Sequence, residues 1–414
     1  MSGAQPATTG EVARLAVRVT KDAGRHIRSG HPWVFDESIT SVKPEGRAGD
    51  LAVIFDDRRN FMAIGLYDPA SPIRIKVLHH GKPLTVDGDF WRSRVRAALE
   101  RRSRLVGSKH TTGYRVVHGE NDGLPGLVVD RYADTLVVKL YSEAWFAHLD
   151  AVVEVLLELL EPAAVVLRLA RQVAKGETGG RYDGMQLVGA PGVGRVHFLE
   201  HDVRFEADVL GGQKTGFFLD QRENRLKVRS RAAGRRVLDV FSSSGGFSVN
   251  AAVGGASQVH SVDISAEALA AARRNMALNE DRAPVKACRH ETTAGDAVTV
   301  LHELIDRSRL YDLIVVDPPS FASRQSQVDG ALRAYGRLTE LALQLLEPGG
   351  TLVQASCSAR VTEPEFYSTI LEAAARRRVR LENVVRTGHA EDHPIGFTHG
   401  AYLKAIFARV EPDL

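Results

Sequence analysis

The sequence predicts an α/β protein whose C-terminal half is a parallel sheet covered on both faces, preceded by a small β-barrel and an α+β middle region. Three observations carry this. From about residue 205 onward the pattern runs strand, loop, helix, repeated, with short apolar strands such as 237–241 and 311–316. Residues 14–80 instead hold close-spaced strand runs broken by turn residues. The 414 residues also exceed one ordinary domain, so two or three are expected. The divisions fall at 12–82, 86–205 and 206–414.

The first strands are the alternating Arg14-Leu-Ala-Val-Arg-Val run, the apolar residues 51–55, and residues 61–67 and 73–78. Gly46, Gly49, Asp56, Asp57 and Pro69 punctuate them. Helical periodicity takes over across 90–105. The middle region sets strands at 126–130 and 135–141 beside a helix over 145–160, with Asn121-Asp122-Gly123-Leu-Pro125-Gly126 as a turn cluster. Strands at 237–241 and 258–263 then alternate with helices beginning near Ser248 and Ser265, the second N-capped by Ser265. A strand at 311–316, a helix over 332–346 and a strand at 351–355 follow. An antiparallel pair spans 379–410, with His393-Pro394 in its connection, either a cover over substrate or a plain loop.

Hydrophobic residues at 44% and charged residues at 25% describe a soluble globular chain with a full core. The net charge of +3 permits a polyanionic partner without demanding one. Basic residues cluster at Arg92, Arg94, Arg96, Arg101, Arg102 and Arg104, at Arg225 through Arg236, and at Arg376 through Arg380. One such cluster reads as a solvated helix face; three favour RNA. With only Cys288 and Cys357, a disulfide scaffold and a zinc site of several thiolates are excluded, no metal is expected, and a reducing cytoplasm fits. Residues 1–10 lack the apolar core of a signal peptide, and charges break 151–170, so no membrane segment is expected.

The cofactor candidates gather after the strand at 237–241. Glycines at a strand-to-helix turn let a ligand approach the backbone closely, and Ser242, Gly245 and Phe247 line that turn. Asp239 just before it can anchor a cationic amino group. The second strand ends in Asp263, followed by Ile264, where a carboxylate suits the two hydroxyls of a ribose. Asp296 falls where a third strand should end and can bond an adenine amine, or serve as a surface loop acid. The glycine spacing is not that of nicotinamide-dependent dehydrogenases.

Tyr311-Asp-Leu-Ile-Val-Val-Asp317-Pro318-Pro319 carries Asp317 to the carboxyl end of a buried strand, where open α/β sheets bind ligands. The two prolines stiffen the loop against a planar base edge. The strand at 351–355 brings Cys357 to the same edge. A thiolate there can add to carbon six of a pyrimidine and make carbon five nucleophilic enough to take a methyl group from a sulfonium donor. Cys288 reads as structural.

Lys214-Thr-Gly216-Phe217-Phe218-Leu219-Asp220-Gln221-Arg222, the turn from Asp239 to Gly246, Val262-Asp263, Asp317-Pro-Pro319 and Ser356-Cys357-Ser358 together resemble the bacterial 23S ribosomal RNA large-subunit methyltransferase I family. Gly119-Glu-Asn-Asp-Gly-Leu-Pro-Gly126 and His31-Pro-Trp33-Val-Phe35 look like its other two domains, so the likeness covers nearly the whole chain. The resemblance implies a PUA-type RNA-binding barrel over 12–82 and a Rossmann-like class I methyltransferase domain. The activity implied is transfer of methyl from S-adenosylmethionine to carbon five of a 23S rRNA cytosine. Cys357 matches the family's nucleophile and Asp317 its base-contacting acid. Asp220 falls to the cofactor; Lys214, Gln221, Arg222, Pro318 and Pro319 fall to the substrate. Ser320 stands where the family carries lysine, and Ser242-Ser-Ser244 replaces a bulkier loop. A related group acting on guanine nitrogen seven lacks the Ser-Cys-Ser, so Cys357 discriminates the two. A non-catalytic ribosome-binding module is the remaining alternative. The expected partners are RNA and, for assembly, a second copy in a homodimer.

Overall fold

The computed structural model describes residues 12–412 except 191 and 193; the stretch 1–10 read as lacking a signal core lies outside them. The described chain divides into two compact units: residues up to 196 with 207–216 and 392–397, and 197–206 with 217–391 and 398 onward.

In the first unit, β1 (Arg14–Val19), α1 (Lys21–Arg28), β2 (Trp33–Phe35), β3 (Ile39–Lys43), β4 (Leu51–Phe55), β5 (Phe61–Tyr67) and β6 (Ile73–His80) build a sheet ordered β2-β6-β5-β4-β1-β3. Its pairings are antiparallel except β1 with β4. The sequence pattern misses α1 because it is one short, largely polar helix that buries only Ala23, Gly24 and Ile27. After α2 (Gly88–Glu100), a second sheet runs β11-β10-β9-β8-β7. Its members are β7 (Gly113–His118), β8 (Leu127–Tyr132), β9 (Thr135–Leu140), β10 (Ala164–Leu169) and β11 (Met185–Val188). The parallel pair β9 and β10 is joined by α3 (Leu149–Leu160), as a parallel crossover requires.

Much of this unit's buried charge is paired. The Arg102 guanidinium, with no exposed surface, donates to Asp122 at 2.7 Å and to the Arg115 carbonyl at 2.6 Å. Arg115 forks onto Asp130 at 2.8 and 3.0 Å. Asp392 accepts the Arg115 backbone N–H at 2.7 Å, and its carbonyl accepts Arg102 at 2.8 Å. These bonds hold 392–397, part of a connection late in the chain, in this unit.

A two-stranded hairpin of β12 (Arg195–Glu200) and β13 (Val203–Asp208) leads to α4 (Arg222–Arg229). The second unit is then built on β14 (Arg236–Val240), α5 (Gly246–Val253), β15 (Gln258–Asp263), α6 (Ala266–Ala277), α7 (Ala283–Ala287), β16 (Arg289–Ala294) and α8 (Ala297–Asp306). β17 (Tyr311–Val316), α9 (Val328–Leu345), β18 (Leu346–Ser356), α10 (Glu363–Arg376), β19 (Val379–Thr387) and β20 (Lys404–Pro412) complete it. The sheet order is β16-β15-β14-β17-β18-β20-β19, with β14 to β18 parallel and the last two antiparallel. The central strands β14 and β17 are mostly apolar because both faces are covered; Val237, Leu238, Val240, Leu313, Ile314 and Val316 are fully buried. Strand order reverses between β14 and β17. At such a switch point the connections leave in opposite directions and open a crevice beyond the carboxyl ends of the strands.

Candidate active site

The residues after β14 form the first wall of that crevice. Phe241 and Ser243 hold φ of 64° and 48°, a left-handed backbone that costs a non-glycine residue about 1–3 kcal/mol and persists only where its surroundings dictate it. Gly245 has φ 77°, and a Cβ there would stand 2.7 Å from that of Ala272 on α6, so only glycine lets the turn close against the helix. Asp239 is wholly buried. Its Oδ2 accepts the Ser248 backbone N–H at 3.0 Å and hydroxyl at 2.6 Å, tying strand to helix, while Oδ1 has no hydrogen-bond partner. The buried Ser242 hydroxyl likewise has none. Burial pushes the Asp239 carboxyl up to about 7; the charges of Asp317 and Asp263 add to this, against the Ser248 bonds. An unsatisfied buried oxygen costs about 1–3 kcal/mol, so two at one turn are a standing invitation to a polar ligand.

Asp263 ends β15 and accepts backbone N–H groups of Ser243 at 2.8 Å and Ser265 at 2.9 Å, one on each oxygen. Each carboxylate oxygen keeps a second lone pair for a hydroxyl. Ile264 beside it is 76% exposed, an apolar side chain presented outward at the sheet edge. Asp296 lies two residues beyond β16 and is exposed; its Oδ1 caps α8 through Thr299 N–H at 3.0 Å. That cap occupies one oxygen of the residue expected at an adenine amine.

The second wall is the edge of β17 and β18. Val316 pairs with Gln354, so the segments after both strands emerge side by side. The Asp317 N–H bonds the Val240 carbonyl at 3.3 Å, bringing this acid next to the β14 turn. The half-buried Cys357 Sγ lies 3.8 Å from the Pro318 carbonyl. Ser358 knits the edge together: its hydroxyl accepts the N–H groups of Phe321 at 3.1 Å and Ala322 at 3.4 Å. It also bonds the Ser320 and Tyr335 hydroxyls, each at 3.1 Å. Pro318 is buried and Pro319 exposed, so the loop offers one ring outward. Asp239, Asp263, Asp317 and Cys357 thus share one rim of one sheet.

Comparison with known proteins follows the same line. The family described as S-adenosylmethionine-dependent methyltransferase matches residues 114–409, and the PUA-like domain matches 17–80. A ribosomal RNA large subunit methyltransferase of Deinococcus radiodurans is 48% identical over 403 residues, covering 96% of this chain and 98% of its own. The chain belongs to the S-adenosylmethionine-dependent ribosomal RNA large-subunit methyltransferase family. Ribosomal RNA large subunit methyltransferase I of Klebsiella pneumoniae is 35% identical, with 92% and 94% of the two chains covered. Two solved structures share the fold at 20% and 21% identity. One, from Streptococcus mutans and assigned as a S-adenosylmethionine-dependent methyltransferase, covers 95% of this chain and 99% of its own with TM-score 0.79. The other, a methyltransferase assignment in complex with SAH, covers 96% and 100% with TM-score 0.80.

The methyltransferase's cofactor is S-adenosylmethionine, and the β14 turn fits it. Asp239 Oδ1 and the Ser242 hydroxyl are acceptors awaiting a donor, and Asp263 has lone pairs for a ribose. Phe247, buried at the start of α5, backs the turn. No group of three described His, Cys, Asp or Glu side chains is arranged to hold a metal, and no described helix is long and apolar enough to cross a membrane.

Other expectations shift. Lys214 belongs to the first unit, where its carbonyl accepts Lys139 Nζ at 2.7 Å, whereas Asp220, Gln221 and Arg222 belong to the second. These three are buried: Asp220 accepts the Tyr402 hydroxyl at 2.8 Å, and Gln221 accepts Asn224 at 2.6 Å. Gln221 and Arg222 are packed within the second unit, Arg222 with its guanidinium 3.3 Å from the Glu223 carboxylate. Some members of the basic clusters are paired within the fold, while Arg96, Arg104 and the whole run from Arg376 to Arg378 stay exposed. Arg102 pairs with Asp122, Arg225 with Glu200, Arg236 with Asp312 and Glu347, and Arg376 with Glu340. Sequence spacing counted charges but not their partners. It gave no site role to Ser248, Ser358, Tyr335 or Lys404, although Ser248 was legible as a helix start, Ser358 stood in the Ser356-Cys357-Ser358 motif, and Lys404 stands out as a lysine inside the apolar Leu403-Lys-Ala-Ile-Phe-Ala run.

Proposed function

We propose that this methyltransferase transfers a methyl group to carbon five of a cytosine in 23S rRNA, with Cys357 as the nucleophile. The carrying observation is the half-buried Cys357 Sγ beside the Pro318 carbonyl, on the rim that holds Asp317, Asp239 and the glycine turn. The names of the relatives, ribosomal RNA large subunit methyltransferases, support the RNA class.

When bound, S-adenosylmethionine supplies an electrophilic methyl on a sulfonium. Asp239 would anchor its amino group, Ser242, Gly245 and Phe247 would line its bed, Asp263 would take its ribose with Ile264 near its base, and Asp296 would offer its second oxygen to the adenine amine. Asp220, which accepts the Tyr402 hydroxyl, would add to the cofactor's hold. On the substrate side, the Cys357 thiolate adds to carbon six, turning carbon five into the nucleophile it is not in free cytosine. Asp317 hydrogen-bonds the nitrogen edge of the base as charge develops there, and Pro318 and Pro319 keep that loop from moving away. After transfer, loss of the carbon-five proton lets the thiolate leave. The base must leave its stack to reach this rim, which favours unpaired or loosely structured RNA. Residues 12–82 serve as the RNA-docking domain, and the sheet of the second unit carries the chemistry in the cytoplasm.

The test is nucleoside mass spectrometry of 23S rRNA treated with the wild-type chain or Cys357→Ala. The expected outcome is 5-methylcytidine with the wild type and none with the variant. Methylated guanosine, or full activity in Cys357→Ala, moves the acceptor to a nitrogen.

A further inference from the structure

Lys404 opens β20 opposite Ser356 of β18 and is 2% exposed. Buried lysines need a reason, since removing an ammonium from water costs several kcal/mol unless donors and charges are met. Its Nζ donates to the Ser358 carbonyl at 2.8 Å and to the Val361 carbonyl. These carbonyls bracket the turn that begins at Cys357, and Ser358 is the residue whose hydroxyl gathers the Asp317-Pro-Pro loop. The charged and titratable groups facing this pair come from three elements. Glu363 and Glu365 on α10 act on Lys404, and Tyr335 on α9 feels both Cys357 and Asp317. Tyr367 on α10 donates to the Ala405 carbonyl and carries Arg386 of β19 over its ring at 4.4 Å.

We infer that Lys404 is the positioning cation of the Cys357 site, clamping the turn through two carbonyls and biasing the thiol toward its nucleophilic thiolate. The inference rests on the reading of Cys357 as nucleophile and adds the group that activates it. A thiolate is the reactive species, and a neighbouring lysine lowers the cost of forming it. The lysine titration agrees: burial pushes its ammonium down to about 8, and negative charge on Cys357 is the largest opposing influence. Glu363 and Glu365 oppose the burial effect in the same sense. At pH 7 the ammonium is therefore still present, and it is lost as pH climbs past 8.

The experiment measures iodoacetamide alkylation of the full chain against pH in a Cys288→Ser background, which leaves one thiol. Lys404→Gln keeps a donor for the carbonyls and removes the charge. Its alkylation midpoint is expected to rise by about one pH unit, with alkylation at pH 7 slowed about tenfold. Lys404→Arg should restore the rate to within a few-fold of wild type. A structural clamp alone would move melting temperature but leave the midpoint in place, and that outcome overturns the inference. Should Lys404→Gln fail to fold, the wild-type midpoint decides: well below the ~8.5 of an unstructured cysteine supports the cation, and at or above it does not. Alkylation does not require methyl transfer, so an inactive Lys404 proposal and a failed nucleophile reading are separated by Cys357→Ala.

Discussion

Asp239 of the second unit differs from the buried carboxylates of the first in one respect, and the difference separates architecture from chemistry. In the first unit Asp122 faces Arg101, Arg102 and the His118 N–H, and Asp130 faces Arg115 and the Thr215 hydroxyl. Asp68 faces Lys76 and Ser142 there. Each is a buried charge met by donors. Asp239 in the second unit is equally buried but meets only Ser248, on one oxygen, with acids of the same sign nearby. A fold does not retain an unsatisfied, partly repelled acid for stability alone. The glycine turn, two left-handed non-glycine residues and the unpartnered Ser242 hydroxyl share the same few residues.

That contrast can be broken at several points. The largest effect is expected at Cys357→Ala, which should reduce methylation by more than about 10³-fold while leaving S-adenosylmethionine affinity and urea stability nearly unchanged. Next, Asp122→Ala should cost about 3–5 kcal/mol in urea unfolding, because it leaves the Arg102 charge buried and unpaired. A cost below about 1 kcal/mol would mean the first unit's acids are not structural.

Asp239→Asn sharpens the other side. The folded carboxyl titrates near 7, above its ordinary 3.8, so folding favours the protonated form. That stability is present below pH 4 and is lost as pH rises through 7. The melting temperature of the wild type relative to Asp239→Asn should therefore fall between pH 5 and 8. A cationic amino group prefers the ionised acid, so cofactor affinity by calorimetry should rise about tenfold from pH 6 to pH 8 in the wild type. The slope should flatten in the variant. The smallest effect is Ser358→Ala: losing a hydroxyl that ties the two loops should lower kcat several-fold, at about 1 kcal/mol per hydrogen bond, with KM for the cofactor unmoved.

Much of the rim was legible in the sequence because its residues sit where periodic strands end. Asp317 follows a short apolar run, Asp263 ends its strand, Cys357 comes directly after one, and Asp239 stands one residue before the end of its own; a run that must be buried on both faces fixes which residues lie at its tip. Ser265 as a cap was legible for a similar reason, since its position precedes the helical period. What escaped was set by contacts between distant segments. Burial of Gln221 and Arg222, the pairing of the arginine clusters and the late insertion of 392–397 into the first unit depend on partners tens to hundreds of residues away. The short polar α1 escaped because a single apolar pair, Ala23 and Ile27, is too little to establish a period.

The proposed reaction requires a covalent bond between Cys357 and the target base. The most direct test incubates the full chain and S-adenosylmethionine with 23S rRNA carrying 5-fluorocytidine, where carbon five has no proton to lose and the adduct cannot resolve. Wild type should give a cofactor-dependent protein–RNA species that survives denaturing electrophoresis, and Cys357→Ala should give none. A trapped species in the variant, or no trapping by a wild-type chain that methylates ordinary rRNA, would contradict it.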